Sequence, residues 1–199
     1  MSQEDYKKVS KNLKTGGIGV IPTDTLYGLV GLALKPNTVA RIYQVRRRSP
    51  DKPFIILISK LADLKKFDIE LSSSQEDFLT KNWPGPLSVI LPCPNPKFRY
   101  LHRGTKTLAF RLPSSKLLRA LLSSTGPLVA PSANPEGLPP AKTIKEAKGY
   151  FGDRIDFYSS GKVKNEPSTL ISLVGEKVVV LREGRLNSKL KVQIAKLQF

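Results

Sequence analysis

The chain has 199 residues, 40% of them hydrophobic and 25% charged, a balance that suits one folded domain and argues against wholesale disorder. Lysine and arginine outnumber aspartate and glutamate 33 to 16, and the resulting charge of +17 favours polyanionic partners such as nucleotides or RNA. A single cysteine, Cys93, and a single histidine, His102, exclude an internal disulfide, a cysteine-based zinc site and a histidine-rich metal site.

The first residues, MSQEDYKKVSKNLK, lack the apolar centre of a signal peptide, and no apolar run reaches the ~18 residues of a membrane span. The expectation is a soluble, cytoplasmic protein with no membrane partner. Helical spacing of Tyr6, Val9 and Leu13 predicts a helix over residues 4–15, stopped by Thr15-Gly16-Gly17. Strands follow at Ile18–Pro22 and Leu29–Leu34. Asn37 is the expected N-cap of a helix over Thr38–Arg46 whose apolar side is Val39, Ile42 and Tyr43. A basic loop runs to Pro53.

Phe54–Ile58 is a continuous apolar run, as in a buried strand. Residues 60–67 and 73–82 read as helical, and Trp83-Pro84-Gly85-Pro86 breaks the second. Further strands are expected at Leu87–Leu91, Leu108–Leu112, Leu128–Ala130, Ile155–Tyr158, Ser168–Leu173 and Lys177–Leu181, with helices at Ser115–Ser123 and 143–150. Residues 92–106 read as a proline-rich basic loop. The mixture predicts an α/β domain with a twisted, open mixed sheet and flanking helices over residues 1–184. Residues 185–199 form a basic tail, read as an edge strand or arm.

Three polar clusters interrupt apolar strands: Thr23-Asp24-Thr25 with Tyr27, Ser132-Ala133-Asn134, and Pro167-Ser168-Thr169. Each alone is compatible with a simple turn, because Ser, Thr and Asn satisfy backbone groups locally. Three at strand ends point instead to one cleft, since open α/β sheets bind ligands there. Arg46, Arg48 and Lys52 suit a phosphate clamp, although arginines at a helix C-terminus also stand there for electrostatic reasons alone. Arg111 sits in an apolar strand and requires a partner, either a ligand carboxylate or an internal one such as Asp24. Glycine-rich phosphate motifs are absent, and one histidine makes a Ser-His-Asp arrangement improbable. Chemistry is therefore expected to rest on positioning and electrostatics.

These segments together resemble the YrdC/Sua5 family: Pro22-Thr23-Asp24-Thr25-Leu26-Tyr27-Gly28-Leu29, Arg46-Arg47-Arg48 with Asp51-Lys52-Pro53, Trp83-Pro84-Gly85-Pro86-Leu87, Leu108–Pro113, Ser132-Ala133-Asn134 and Pro167–Ile171. The resemblance runs in order from Gly17 to Gly184. It implies a deep basic cavity and the synthesis of threonylcarbamoyl-adenylate and pyrophosphate from L-threonine, bicarbonate and ATP. Partner transferase proteins would then modify adenosine 37 of tRNA. It further implies that Thr25, Arg111, Ser132 and Ser168 surround the threonine, with Arg111 on its carboxylate. Arg46, Arg48, Thr107, Asn134, Lys142 and Arg182 would contact ATP, the first two near the phosphates and in the catalytic role. Mg2+ would accompany ATP, and no metal ligands on the protein are expected. Three positions depart from the family pattern: Arg46 stands where lysine is usual, Lys142 where some members have Ser or Thr, and Leu57 where longer homologues have His.

A second reading, from another class, is a factor that binds tRNA or double-stranded RNA through the same basic surface. Between Phe78 and Pro135 there is no acidic residue and there are eight Lys or Arg. Phe98 and Tyr100 lie among them, a pattern suited to backbone contact and base stacking.

Overall fold

The computed structural model describes residues 3–175 and 178–184. In chain order the elements are α1 (Gln3–Lys14), β1 (Gly19–Pro22), β2 (Tyr27–Leu32), α2 (Pro36–Arg46), β3 (Ile55–Leu57), α3 (Ser73–Asn82), β4 (Leu87–Pro92), α4 (Arg99–His102), β5 (Thr107–Arg111), α5 (Lys116–Thr125), β6 (Leu128–Val129), α6 (Ile144–Phe151), β7 (Phe157–Tyr158), β8 (Thr169–Ser172) and β9 (Val179–Arg182). Short 3-10 segments occupy Leu61–Phe67, Pro96–Phe98 and Gly152–Arg154. The expected tail at 185–199 and the start of the strand expected at Lys177 lie outside the described residues.

The strands form one mixed sheet in the order β7-β1-β2-β6-β3-β5-β4-β8-β9. β1/β7, β3/β5 and β4/β8 are parallel, and the remaining neighbours are antiparallel. Successive strand side chains point to opposite faces, and the core follows that alternation. Val20, Leu29 and Ile56 join one apolar cluster with α2, α3 and α6, whereas Ile21, Val30 and Leu57 join a second with α1 and α5. Leu118, Leu121 and Leu122 bring α5 onto that second face beside Val9 and Leu13 of α1. Gly31 lets α2 lie against the sheet, because a Cβ there would stand 2.5 Å from Thr38 Cγ2.

Several local expectations are corrected. The N-cap of α2 is Lys35, not Asn37: Pro36, with its φ pre-set for helix, takes the first helical position and moves the start two residues earlier. β2 starts at Tyr27 rather than Leu29, since Tyr27 and Gly28 pair with Pro22 and Ile21 across a tight β1–β2 turn. Residues 92–106 are not a plain loop, for Asn95 caps a 3-10 turn that runs into α4. Phe98 is buried against Phe67, with ring centroids 5.6 Å apart, and is not available to stack on a base. The Tyr100 hydroxyl donates to the Ala33 carbonyl. His102 is buried, and its Nδ1 accepts the Gly104 N–H. The Trp83–Pro84 peptide is cis, and Trp83 Nε1 donates to the carbonyl of Leu87, the first residue of β4.

Candidate active site

The three polar clusters do converge. A cavity of about 460 Å³ lies over the strand ends, walled by Thr23, Thr25 and Tyr27 from the β1–β2 turn, Ser132 after β6, Ser168 before β8, and Arg182 of β9. Arg46, Arg48 and Lys52 line it from the α2–β3 loop, and Thr107, Ala109 and Arg111 from β5. Register explains the convergence. Gly28 bridges Ser132 across the sheet, and Ala133 N–H donates to the Tyr27 carbonyl, so the β1–β2 turn and the Ser-Ala-Asn loop are locked side by side.

At one end stands Arg111, with a side chain only 5% exposed. Asp24, itself 7% exposed, meets its Nη1 at 2.5 Å and also accepts the Ser114 N–H and hydroxyl, each at 2.9 Å. Burial lowers the Arg111 pKa, and Asp24 opposes that shift. Asp24 is thus the internal partner, and it stands behind Arg111, in the wall of a second cleft formed with Trp83–Leu87, rather than in the cavity. Arg182 lies beside Arg111; burial first, and then the Arg111 charge, lowers its pKa. Its guanidinium donates to the Ser168 carbonyl and hydroxyl, and the Ser168 hydroxyl shares a 2.8 Å hydrogen bond with Ser88. Thr23 and Thr25 share a hydroxyl contact at 3.1 Å. The Tyr27 ring lines the cavity, but its hydroxyl donates to Gly161 and so is not directed to a ligand.

At the other end Arg46 is 3% exposed. Its Nε donates to the Asn134 carbonyl at 2.7 Å, and among the described residues no carboxylate forms an ion pair with it. Burial, and then the neighbouring Arg48, push its pKa down to about 10. Tyr43 and Phe54 stack with centroids 4.0 Å apart beneath the basic loop, and the guanidinium carbons of Arg46 and Arg48 lie 5.9 and 6.0 Å from the Phe54 centroid. Arg47 closes α2 in the left-handed conformation, and Arg48 follows it onto the Phe54 ring. The Tyr43 hydroxyl donates to the Lys52 carbonyl, and burial raises its pKa to about 12 despite the nearby arginines.

Two expected residues stand apart from the cavity wall. The Asn134 side chain donates to the Pro135 and Leu138 carbonyls and so shapes its own loop. Lys142 is exposed, with its N–H on Glu146, and is absent from the lining. Leu57 points to the opposite apolar cluster. Sequence reasoning missed Glu136, whose carboxylate touches Lys52 and the Ser49 N–H; its only sequence signal is an acidic residue two positions after the Ser-Ala-Asn loop. Among the described residues no group of three or more His, Cys, Asp or Glu could hold a metal, and no helix is long and apolar enough to cross a membrane.

Comparison with known proteins agrees with this architecture. Residues 11–184 match the Sua5_yciO_yrdC family model, described as "Telomere recombination". The threonylcarbamoyl-AMP synthase of Pyrococcus abyssi is 33% identical over 177 residues, covering 87% of this chain and 52% of that protein. That of Halorhodospira halophila is 29% identical, covering 79% of this chain and 83% of its own. Among solved structures, P. abyssi Sua5 complexed with L-threonine superposes with a TM-score of 0.90 at 28% identity, covering all of this chain and 59% of that one. Escherichia coli YciO gives 0.82 at 25% identity, covering 94% and 93%. The chain therefore spans about half the length of the archaeal relative.

Proposed function

The chain belongs to the Sua5/YciO/YrdC family, and from that premise we propose that it is a threonylcarbamoyl-AMP synthase, joining L-threonine, bicarbonate and ATP with release of pyrophosphate. The observation that carries the reading is a single cavity with two differently built ends. One end has Arg111, Arg182 and the hydroxyls of Thr25, Ser132 and Ser168; the other has Arg46, Arg48 and Lys52. A relative bearing the activity in its name, and the Sua5 structure solved with L-threonine, support the assignment.

In this reading Arg111 takes the threonine carboxylate, a suitable partner for a buried guanidinium that Asp24 engages through only one Nη. Thr25, Ser132 and Ser168 orient the amino acid. The threonine nitrogen attacks the carbon of bicarbonate, or of CO2 derived from it, and loses a proton, giving an N-carboxylate; the C–O bond to the bicarbonate hydroxyl breaks, and that oxygen leaves as water. A carboxylate oxygen then attacks the α-phosphorus of ATP; the bond to the bridging oxygen breaks, and pyrophosphate leaves. Arg46 and Arg48 stabilise charge on the phosphates, the first from a buried and the second from a partly buried position, where such donors act more strongly than in water. Thr107 completes the ATP contacts, Arg182 reaches the nucleotide from the threonine end, and Asn134 acts indirectly, through the carbonyl that fixes Arg46. Lys142 contributes only if the nucleotide extends beyond the cavity wall.

The donor set fits a metal that arrives with the nucleotide rather than one held by the protein. Asp51 and Glu136, the carboxylates nearest the phosphate end, are bonded to Ser49 and to Lys52. Mg2+ on ATP would supply charge neutralisation of the phosphates when bound. Transfer of the product to tRNA by partner proteins completes the proposal. The Arg48→Ala variant tests it: product formation is lost while the fold persists, and an active variant would refute the assigned role.

A further inference from the structure

The basic end of the cavity carries its own anion. Glu136 is tied to α2 by its N–H, which donates to the Arg46 carbonyl at 2.8 Å. Its carboxylate accepts the Ser49 N–H at 2.6 Å and the Lys52 ammonium at 2.8 Å, and its Oε1 lies 3.8 Å from Arg48 Nη1. Arg48 and Lys52 line the cavity and Glu136 does not, so the carboxylate grips both cations from outside the wall. Among the described residues it is the one carboxylate ion-paired with either of them. The Lys52 and Ser49 hydrogen bonds hold its pKa down to about 2, so it is an anion at any working pH.

We infer that Glu136 is a specificity-determining residue: a built-in carboxylate that a ligand's phosphates must outcompete for Lys52 and Arg48, so that it holds down the affinity of the site for polyphosphates and leaves that for monophosphates unchanged. The inference rests on the reading that this end of the cavity takes phosphates. A monophosphate carries up to two charges on one group and is adequately met by Arg46, which Glu136 does not contact through its carboxylate. A triphosphate or pyrophosphate extends to Lys52 and carries enough charge to draw it from Glu136. A purely structural Glu136 would act through its acceptor bond to Ser49 N–H and not through its charge.

Glu136→Gln separates these roles. The amide oxygen keeps the acceptor for Ser49 N–H, while the negative charge and the hold on Lys52 are lost. Calorimetric titration with inorganic tripolyphosphate, ATP and AMP at low salt reads the effect. The expected result is tighter binding of tripolyphosphate and ATP by about tenfold or more, from removal of one like charge about 7–10 Å away at an effective dielectric of about 20. AMP and L-threonine affinities stay unchanged, and the gain shrinks as salt rises. In the double variant with Lys52→Met the gain shrinks, because the nearer of the two contested cations is gone. Equal or weaker tripolyphosphate binding by Glu136→Gln, or an equal gain for AMP, overturns the inference. If the gain appears without threonine-dependent turnover in the parent protein, the competitor role stands and the synthase reading fails. If neither protein binds polyphosphate, both fall.

Discussion

Among the described residues Asp24 is the one carboxylate ion-paired with Arg111, and replacing it by Ala removes that partner. The two side chains are 5% and 7% exposed, so water does not replace the lost partner. Breaking a buried pair from one side costs about 3–5 kcal/mol, because the remaining charge is left uncompensated. For a domain of this size, that corresponds to a fall in Tm of about 6–20 °C. The Ser114 N–H and hydroxyl lose their acceptor too, and Ser114→Ala, which keeps the N–H, measures the hydroxyl's part, about 1 kcal/mol. If Arg111 binds the amino-acid carboxylate, L-threonine supplies the missing anion. At one hundred times its Kd, a ligand adds about 2.7 kcal/mol, and the recovery in Asp24→Ala should exceed that in the parent. Thermal and urea unfolding with and without L-threonine measure this. A variant that melts with the parent, or that gains no more from threonine than the parent does, would refute the argument that Arg111 is a buried charge awaiting a carboxylate.

Other expectations concern catalysis, packing and titration. Arg48→Ala should lower product formation by about 10²–10³-fold or more, as for loss of a transition-state donor, with little change in the unfolding midpoint because Arg48 is partly exposed. Leu121→Ala, at a fully buried position between α5 and α1, should cost about 2–5 kcal/mol in denaturant unfolding without changing ligand affinity. Burial pushes the Cys93 thiol up to about 11, so a thiol reagent at pH 8 should meet only ~10⁻³ of it as thiolate and label the folded protein slowly, faster as pH rises and rapidly in denaturant. Burial alone would raise the Asp156 pKa, but the Arg41 and Ile18 hydrogen bonds outweigh it and leave it below the ordinary 3.8. Its stabilisation is therefore present at neutral pH and is lost as pH falls from about 4 downward. Asp156→Asn should lower stability at pH 7 and flatten the acid limb of the pH–stability curve.

The apolar runs at Ile18–Pro22, Phe54–Ile58 and Leu108–Leu112 made the strands legible, because burial on two faces writes itself into sequence. The polar clusters were legible for the opposite reason, as hydrogen-bonding groups placed where a core needs none. Pairings across long sequence separations left less trace. A charge in an apolar strand made Asp24 one candidate partner for Arg111, but its bonds to Ser114, and those of Glu136 to Lys52 and Ser49, arise only through sheet order and loop docking. The same limit explains Phe98: its basic neighbours suggested a stacking surface, yet the 3-10 turn capped by Asn95 rotates the ring into the core. Lys142 followed its motif position in the chain, but its exposed place before α6 sets it apart from the cavity wall. Arg46 in place of the usual lysine became interpretable only with its setting, for one nitrogen anchors the Ser-Ala-Asn loop, a task no point-charge ammonium would perform with the same planar geometry.

The most direct test of the central claim is pyrophosphate release from ATP by the purified protein, with L-threonine and bicarbonate each present or withheld, and the product identified by mass spectrometry. The account predicts release that requires both, together with a threonylcarbamoyl-adenylate mass. Release independent of threonine, or no turnover by a folded protein that binds ATP, would contradict it.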